Sequence, residues 1–201
     1  MPRIKVSANR HPSPKSISGV LLAGGESRRM GRDKATMHWR GRPLWEWQIE
    51  KLRALRPEKI FLSARSDVPW RPVDVELLRD APPSRGPLSG LAAARASIET
   101  DHLLALAVDM PFMTTEHLLT LCSLVTKGIG VIPMIDGKAE PLGAIYPKEA
   151  APLFQDALRG DNFSLQPLVR KSIALNMLRE MPISDQARDF YKSINEPADL
   201  S

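Results

Sequence analysis

A chain of 201 residues, 43% of them hydrophobic, is long enough to bury one sizeable core and has an ordinary globular composition. Its formal charge of +5 favours an anionic partner, but with only 5% aromatic residues and no Lys/Arg stripe running among them it does not read as a nucleic-acid binder. The single cysteine, Cys122, excludes an internal disulfide and fits a reducing, cytoplasmic compartment, and the longest apolar run, residues 103–108, is far below the roughly 20 residues that a membrane span needs.

Residues 1–17 are polar and basic, with Pro2, Pro12 and Pro14, and read as a flexible leader without the apolar stretch of a secretory signal. Residues 18–201 then read as one domain. Residues 18–23 predict a buried strand that ends at Gly24 and Gly25. Bare backbone there can approach a phosphate or a base edge, and Arg28, Arg29, Arg32 and Lys34 add positive charge. The spacing is not that of a P-loop, because Arg29 and Met30 stand where the second glycine would be, and adjacent Gly24 and Gly25 do not fit G-x-G-x-x-G.

An extended piece turning at Gly41 follows. Leu44, Trp45, Ile49, Leu52 and Leu55 recur at helical spacing and predict a helix over 44–55, stopped before Pro57. Strands are expected at 59–64 and 75–78, the second closing at Arg79-Asp80. Pro87 suits the first position of a helix that runs to about residue 98, with Gly86 and Gly90 flanking its N-terminus. The two glycines suit either an anion site or close helix–sheet packing. The apolar run 103–108 suits a central parallel strand and stops at Asp109-Met110-Pro111. Thr114 or Thr115 then caps a helix carrying Leu118, Leu121, Cys122 and Val125, ending near Gly128. Strands at 130–135 and 141–146 are expected around an Asp136-Gly137 turn, helices at 149–158 and 165–171, a strand at 174–178, and a strand end running into a capped turn over 193–200.

Alternation of strands and helices over the first 130 residues argues an α/β fold of three layers, α/β/α, with a mostly parallel, Rossmann-like sheet. Ligands of such sheets bind beyond the carboxyl ends of the strands. Gly24 and Gly25 stand at one such end, Asp80 at a second and Asp109 at a third. A carboxylate among phosphate-binding groups is repelled unless a cation lies between, so Asp109 is expected to hold Mg2+.

The stretch from Leu22-Ala23-Gly24-Gly25 through Ser27, Arg29-Met30-Gly31 and Asp33-Lys34-Ala35 resembles the signature of the molybdenum cofactor guanylyltransferases, members of the nucleotidyltransferase superfamily with the fold of the nucleotide-diphospho-sugar transferases. Four further segments resemble that family in the same order: Arg85-Gly86-Pro87-Leu88-Ser89-Gly90, Val108-Asp109-Met110-Pro111-Phe112, Glu140-Pro141-Leu142-Gly143-Ala144-Ile145-Tyr146 and Asn195-Glu196-Pro197-Ala198-Asp199-Leu200. The resemblance implies transfer of GMP from GTP to molybdopterin, giving the guanine dinucleotide cofactor and pyrophosphate. It implies that Leu22, Ala23, Gly24 and Gly25 shape the nucleotide loop and that Lys34 contacts the phosphates. Asp80 would contact the nucleotide, Asp109 both nucleotide and metal. Gly86 and Gly90 would line the base side, and Asn195 would lie toward molybdopterin.

The attacking group would be an anionic phosphate that needs no general base, so catalysis would rest on Mg2+ at Asp109 and on the cations Lys34 and Arg29. A labile product implies handover to a molybdoenzyme or a cofactor-delivery protein. Ser63 and Ser193 stand where relatives often carry Asn. Two alternatives stay open on these residues: a cytidylyltransferase acting on the same or another phosphate acceptor, and a non-catalytic chaperone that binds nucleotide or cofactor.

Overall fold

The apolar runs expected to be central strands are central in the computed structural model of this chain, which describes residues 17–24, 33–79 and 83–194. β1 (Ile17–Leu22) and β6 (His102–Ala107) are buried along their whole length and pair in parallel, Leu22 opposite Ala107. Being covered on both faces, they carry continuous apolar residues rather than an alternating pattern. β4 (Ile60–Ala64) pairs in parallel with the other side of β1, Leu22 opposite Ser63, and β5 (Glu76–Arg79) extends that side. Beyond β6 lies β9 (Ile145–Pro147), antiparallel to its neighbours, then β7 (Gly130–Ile135) and β10 (Leu178–Pro182), parallel to each other. The order across the sheet is β10-β7-β9-β6-β1-β4-β5. A separate ribbon of β2 (His38–Trp39) and β3 (Arg42–Pro43) turns through Arg40 and Gly41, both at positive φ.

Helices cover both faces. α1 (Leu44–Ala54) and α3 (Thr115–Leu124) pack Ile49, Leu52, Leu118 and Leu121 on one face. α2 (Pro87–Ser97), α4 (Ala151–Arg159) and α5 (Leu165–Ala174) pack Leu88, Leu91, Phe154 and Val169 on the other. Each fully buried side chain of this size contributes about 1.5–3 kcal/mol. The expected three-layer α/β/α arrangement with a mostly parallel sheet is the observed one. Among the described residues no helix is long and apolar enough to cross a membrane.

Some local expectations need correcting. β1 begins at Ile17, which is buried and so belongs to the core and not to the leader; residues 1–16 lie outside the described part. α3 ends at Leu124, short of Gly128, because Val125 turns extended. Across the Asp136-Gly137 turn β7 pairs with β8 (Lys138–Ala139), and of residues 141–146 only the end, in β9, lies antiparallel to β7, Ile145 opposite Val131. Both turn residues have positive φ, as a two-residue hairpin demands. Pro141–Gly143 form a 3-10 turn, and only then does β9 start. Residues 174–178 are not a strand. α5 runs through Ala174, Asn176 turns at φ 55°, and β10 begins at Leu178. A 3-10 helix, Asp185–Tyr191, that the periodicity did not suggest follows it. Ser193 and Ile194 are irregular, and residues 195–201 lie outside the described part.

Candidate active site

β1 sends its successors β4 and β5 to one side, and β6 lies on the other. The crevice beyond the carboxyl ends of β1 and β6 is therefore the point where strand order reverses, the usual ligand position in such sheets. Three strand ends are laced together there. Val108 N–H donates to the Leu22 carbonyl at 3.1 Å, and the N–H groups of Ala23 and Gly24 both donate to the Ser63 carbonyl at 3.1 Å. Those two N–H groups are thus committed to the neighbouring strand and do not point at an anion. What Ala23 and Gly24 offer is a half-buried backbone without bulky side chains at the rim of the crevice.

Lys34 and Asp109 meet at this point. Lys34 Nζ lies 3.1 Å from Asp109 Oδ2, and each side chain is about a fifth exposed, 23% and 22%. Lys34 opens a 3-10 turn, Lys34–Thr36, whose cap is Asp33: Oδ1 accepts from the Ala35 N–H at 3.0 Å, while Oδ2 accepts from Trp70 Nε1 at 3.2 Å. Trp70 stacks on Trp45, which ties the turn to α1. The lysine therefore leaves a braced backbone.

The segment that carries Asp109 belongs to no helix or strand, so its carbonyls need other donors. Gln48, fully buried on α1, donates through Nε2 to the Ala107 carbonyl at 3.2 Å and lies 3.5 Å from that of Val108. Lys51 donates to the Pro111 carbonyl at 2.7 Å and to Gln48 Oε1 at 3.0 Å. Ile194 N–H donates to the Asp109 carbonyl at 2.8 Å. Burial pushes the Lys51 ammonium down to about 8. Sequence reading passed over Gln48 and Lys51. The signal available was that 44, 48, 51 and 52 share a helix face, and two of the four are polar.

The two glycines near α2 have different reasons. Gly86 sits at the N-cap with φ +65° and open space around its Cβ position. At Gly90 a Cβ would fall 2.1 Å from Ser63 Oγ and 2.8 Å from Leu22 Cδ2, so close packing of α2 on the sheet requires glycine there. Ser63, 2% exposed, occupies the space that Gly90 leaves. A cavity of about 280 Å³ lined by Arg79, Arg85, Ser89, Ala93, Gln155 and Leu158 includes neither Lys34 nor Asp109.

The structure thus brings Leu22, Ala23, Gly24, Lys34, Gly90 and Asp109 to one edge, with Gly86 at the adjoining helix end. Gly25, Arg29, Asp80 and Asn195 lie outside the described residues. Among the described residues no three His, Cys, Asp or Glu side chains form a closed metal site. A single part-buried carboxylate fits instead a cation that keeps several waters and shares substrate phosphates. Cys122 packs against the core, and its burial raises the thiol to about 12, which leaves it protonated and inert.

The sequence pattern of the MobA-like NTP transferase domain matches residues 19–181. The chain belongs to that family. A protein of Opitutus terrae named "Probable molybdenum cofactor guanylyltransferase" is 33% identical over 92% of this chain and 93% of its own length. One of the same name from Bacillus subtilis is 34% identical over 75% of this chain and 76% of its own. The structure of molybdopterin-guanine dinucleotide biosynthesis protein A from Archaeoglobus fulgidus superposes with a TM-score of 0.72 at 24% identity, covering 91% of this chain and 94% of that one. The 2-C-methyl-D-erythritol 4-phosphate cytidylyltransferase of Thermus thermophilus gives 0.66 at 14% identity over 90% of this chain and 94% of its own, a likeness of fold alone. In this member of the family, Lys34 and Asp109 face each other beside the bare backbone of Ala23 and Gly24, beyond the carboxyl ends of β1 and β6.

Proposed function

We propose that this MobA-like transferase moves GMP from GTP to molybdopterin and releases pyrophosphate. The observation that carries the reading is the Lys34–Asp109 pair, 3.1 Å apart at the point where strand order reverses. The names of the relatives from Opitutus terrae and Bacillus subtilis support guanine and molybdopterin as the specific substrates. Ala23 and Gly24 let the nucleotide approach the end of β1. Lys34, on its braced turn, offers a positive charge to the phosphates and moves from the Asp109 carboxylate onto them when they arrive. Asp109 is the residue that would hold a divalent cation, taken to be Mg2+. Such a cation would neutralise phosphate charge and steady the leaving pyrophosphate. The acceptor phosphate is already anionic near neutral pH and needs no base. Gly25, Arg29 and Asp80 around the nucleotide, and Asn195 toward the acceptor, complete the proposed site by resemblance.

The test is pyrophosphate release with molybdopterin, a divalent cation and either GTP or CTP. GTP is expected to support turnover and CTP to fail; the reverse preference overturns the guanylyl reading, and nucleotide binding without pyrophosphate overturns the enzymatic one. Asp109→Asn is expected to lower turnover by about 10²-fold or more, the scale of one preorganised electrostatic group.

A further inference from the structure

Residues 108–114 connect β6 to α3 and lie in neither, yet Val108, Met110, Pro111 and Met113 are buried. Water has little access to the buried part of this backbone, so its carbonyls turn to the protein for donors. Four donors serve the stretch around Asp109. Ala107 O, and more distantly Val108 O, accept from Gln48; Asp109 O accepts from the Ile194 N–H; Met110 O accepts from the Met113 N–H at 3.2 Å; Pro111 O accepts from Lys51. Two side chains on one face of α1, bonded to each other, therefore hold the segment on both sides of Asp109.

We infer that Gln48 and Lys51 are positioning residues: they fix the course of the 107–111 backbone and so keep the Asp109 carboxylate opposite Lys34. The inference rests on the proposed role of Asp109 as cation holder. Packing does not explain the pair. The same face of α1 buries Leu44 and Leu52, and a methionine at 51 would fill the space without the burden of a buried ammonium. Burial works against the Lys51 charge. What the pair secures is the path of the loop.

The experiment uses Lys51→Met in the full chain. Four quantities are read: the thermal midpoint, amide hydrogen exchange of peptides spanning 107–113, Mn2+ affinity of the GTP-bound protein followed by free-Mn2+ resonance, and pyrophosphate release. The midpoint is expected to shift by only a few degrees, since the relieved ammonium offsets the acceptors left at Pro111 and Gln48, while exchange at 107–113 increases about tenfold and β1 and β4 exchange as in the unaltered chain. Mn2+ affinity and kcat are each expected to fall about tenfold or more, the usual cost of losing a group that orients a metal ligand, with the KM for GTP moving less. Lys51→Arg, which keeps a donor, is expected to recover most of both. Added to Asp109→Asn, Lys51→Met is expected to cost less than about twofold further, since the carboxylate it positions is already gone.

Unchanged exchange at 107–113 overturns the inference whatever activity does. Raised exchange with unaltered Mn2+ affinity and kcat overturns it too, for the loop would then be held to no catalytic end. Wild-type Mn2+ affinity in Asp109→Asn removes the cation reading and the positioning role with it. That failure is told apart from the first by the exchange data, which do not depend on Asp109.

Discussion

Gly90 and Lys34 show how differently single residues carry this site. Lys34 stands out in the sequence because its charge follows a glycine-rich turn, and in the structure it lies 3.1 Å from Asp109. Gly90 stands in an equally recognisable segment, but the sequence leaves open whether its bareness serves a ligand or packing. The structure resolves this by contact: a methyl group would sit 2.1 Å from Ser63 Oγ and 2.9 Å from Ser63 Cβ. Gly90→Ala is therefore expected to push α2 off the sheet and destabilise the chain by about 1–3 kcal/mol in urea unfolding, the usual cost of overpacking. Ser63→Ala in that background should recover part of the loss, because it removes the closest contact and leaves the Cβ one. Alanine is the better helix former, so propensity alone would stabilise Gly90→Ala and a measured loss reports the crowding. Ser63 has a short side chain, which suits so close an approach.

At the scale of elements, several strongly periodic segments begin where expected. α3 is one: the sequence allowed Thr114 or Thr115 as its cap, and the structure chooses Thr114, whose hydroxyl accepts from the His117 N–H at 3.1 Å. Thr114→Ala is expected to cost about 1 kcal/mol of stability, measured by chemical denaturation, while Thr115→Ala should cost markedly less. The misread segments share a cause. Residues 141–146 look extended, but Pro141 opens a 3-10 turn, and Gly143 lies against Met113 and Tyr191, which arrive from elsewhere in the chain. Residues 174–178 end α5 through the positive φ of Asn176, a turn that apolar spacing does not reveal. The 3-10 helix at Asp185–Tyr191 is anchored by the long-range bond between Tyr191 OH and His117 Nε2, at 2.7 Å, which no local pattern announces.

For the whole molecule, the site's support has a cost that pH exposes. Burial lowers Lys51 from the ordinary lysine range to about 8 in the folded chain, whereas the unfolded chain titrates near 10.4. Below pH 8 both states hold the proton and the folded state bears the full penalty of the buried charge. Between about 8 and about 10.4 the folded state has released a proton that the unfolded state keeps, so this group makes stability rise with pH. Lys51→Met removes the penalty but also the donor to Pro111 and Gln48. Its stability relative to the unaltered chain is expected to be highest at pH 7 and to fall by no more than about 3 kcal/mol toward pH 10. Urea unfolding of both proteins at pH 7 and 9.5 measures it; an advantage that grows with pH would contradict the buried charge.

The amino-acid sequence by itself determined the alternation of strands and helices, the glycine-rich turn after the first strand, and the residue types of the crevice, because these are written within a helical turn or a strand repeat. Only the tertiary structure decided which strand ends adjoin, that Ala23 and Gly24 give their N–H groups to Ser63, and that α1 supports the backbone around Asp109. The physical reason is range. Lys34 reaches Asp109 across 75 residues, and Gln48 and Lys51 reach the 107–111 carbonyls across 59 and 60. An irregular buried loop must find its donors wherever the packed chain brings them, and local spacing carries no record of that.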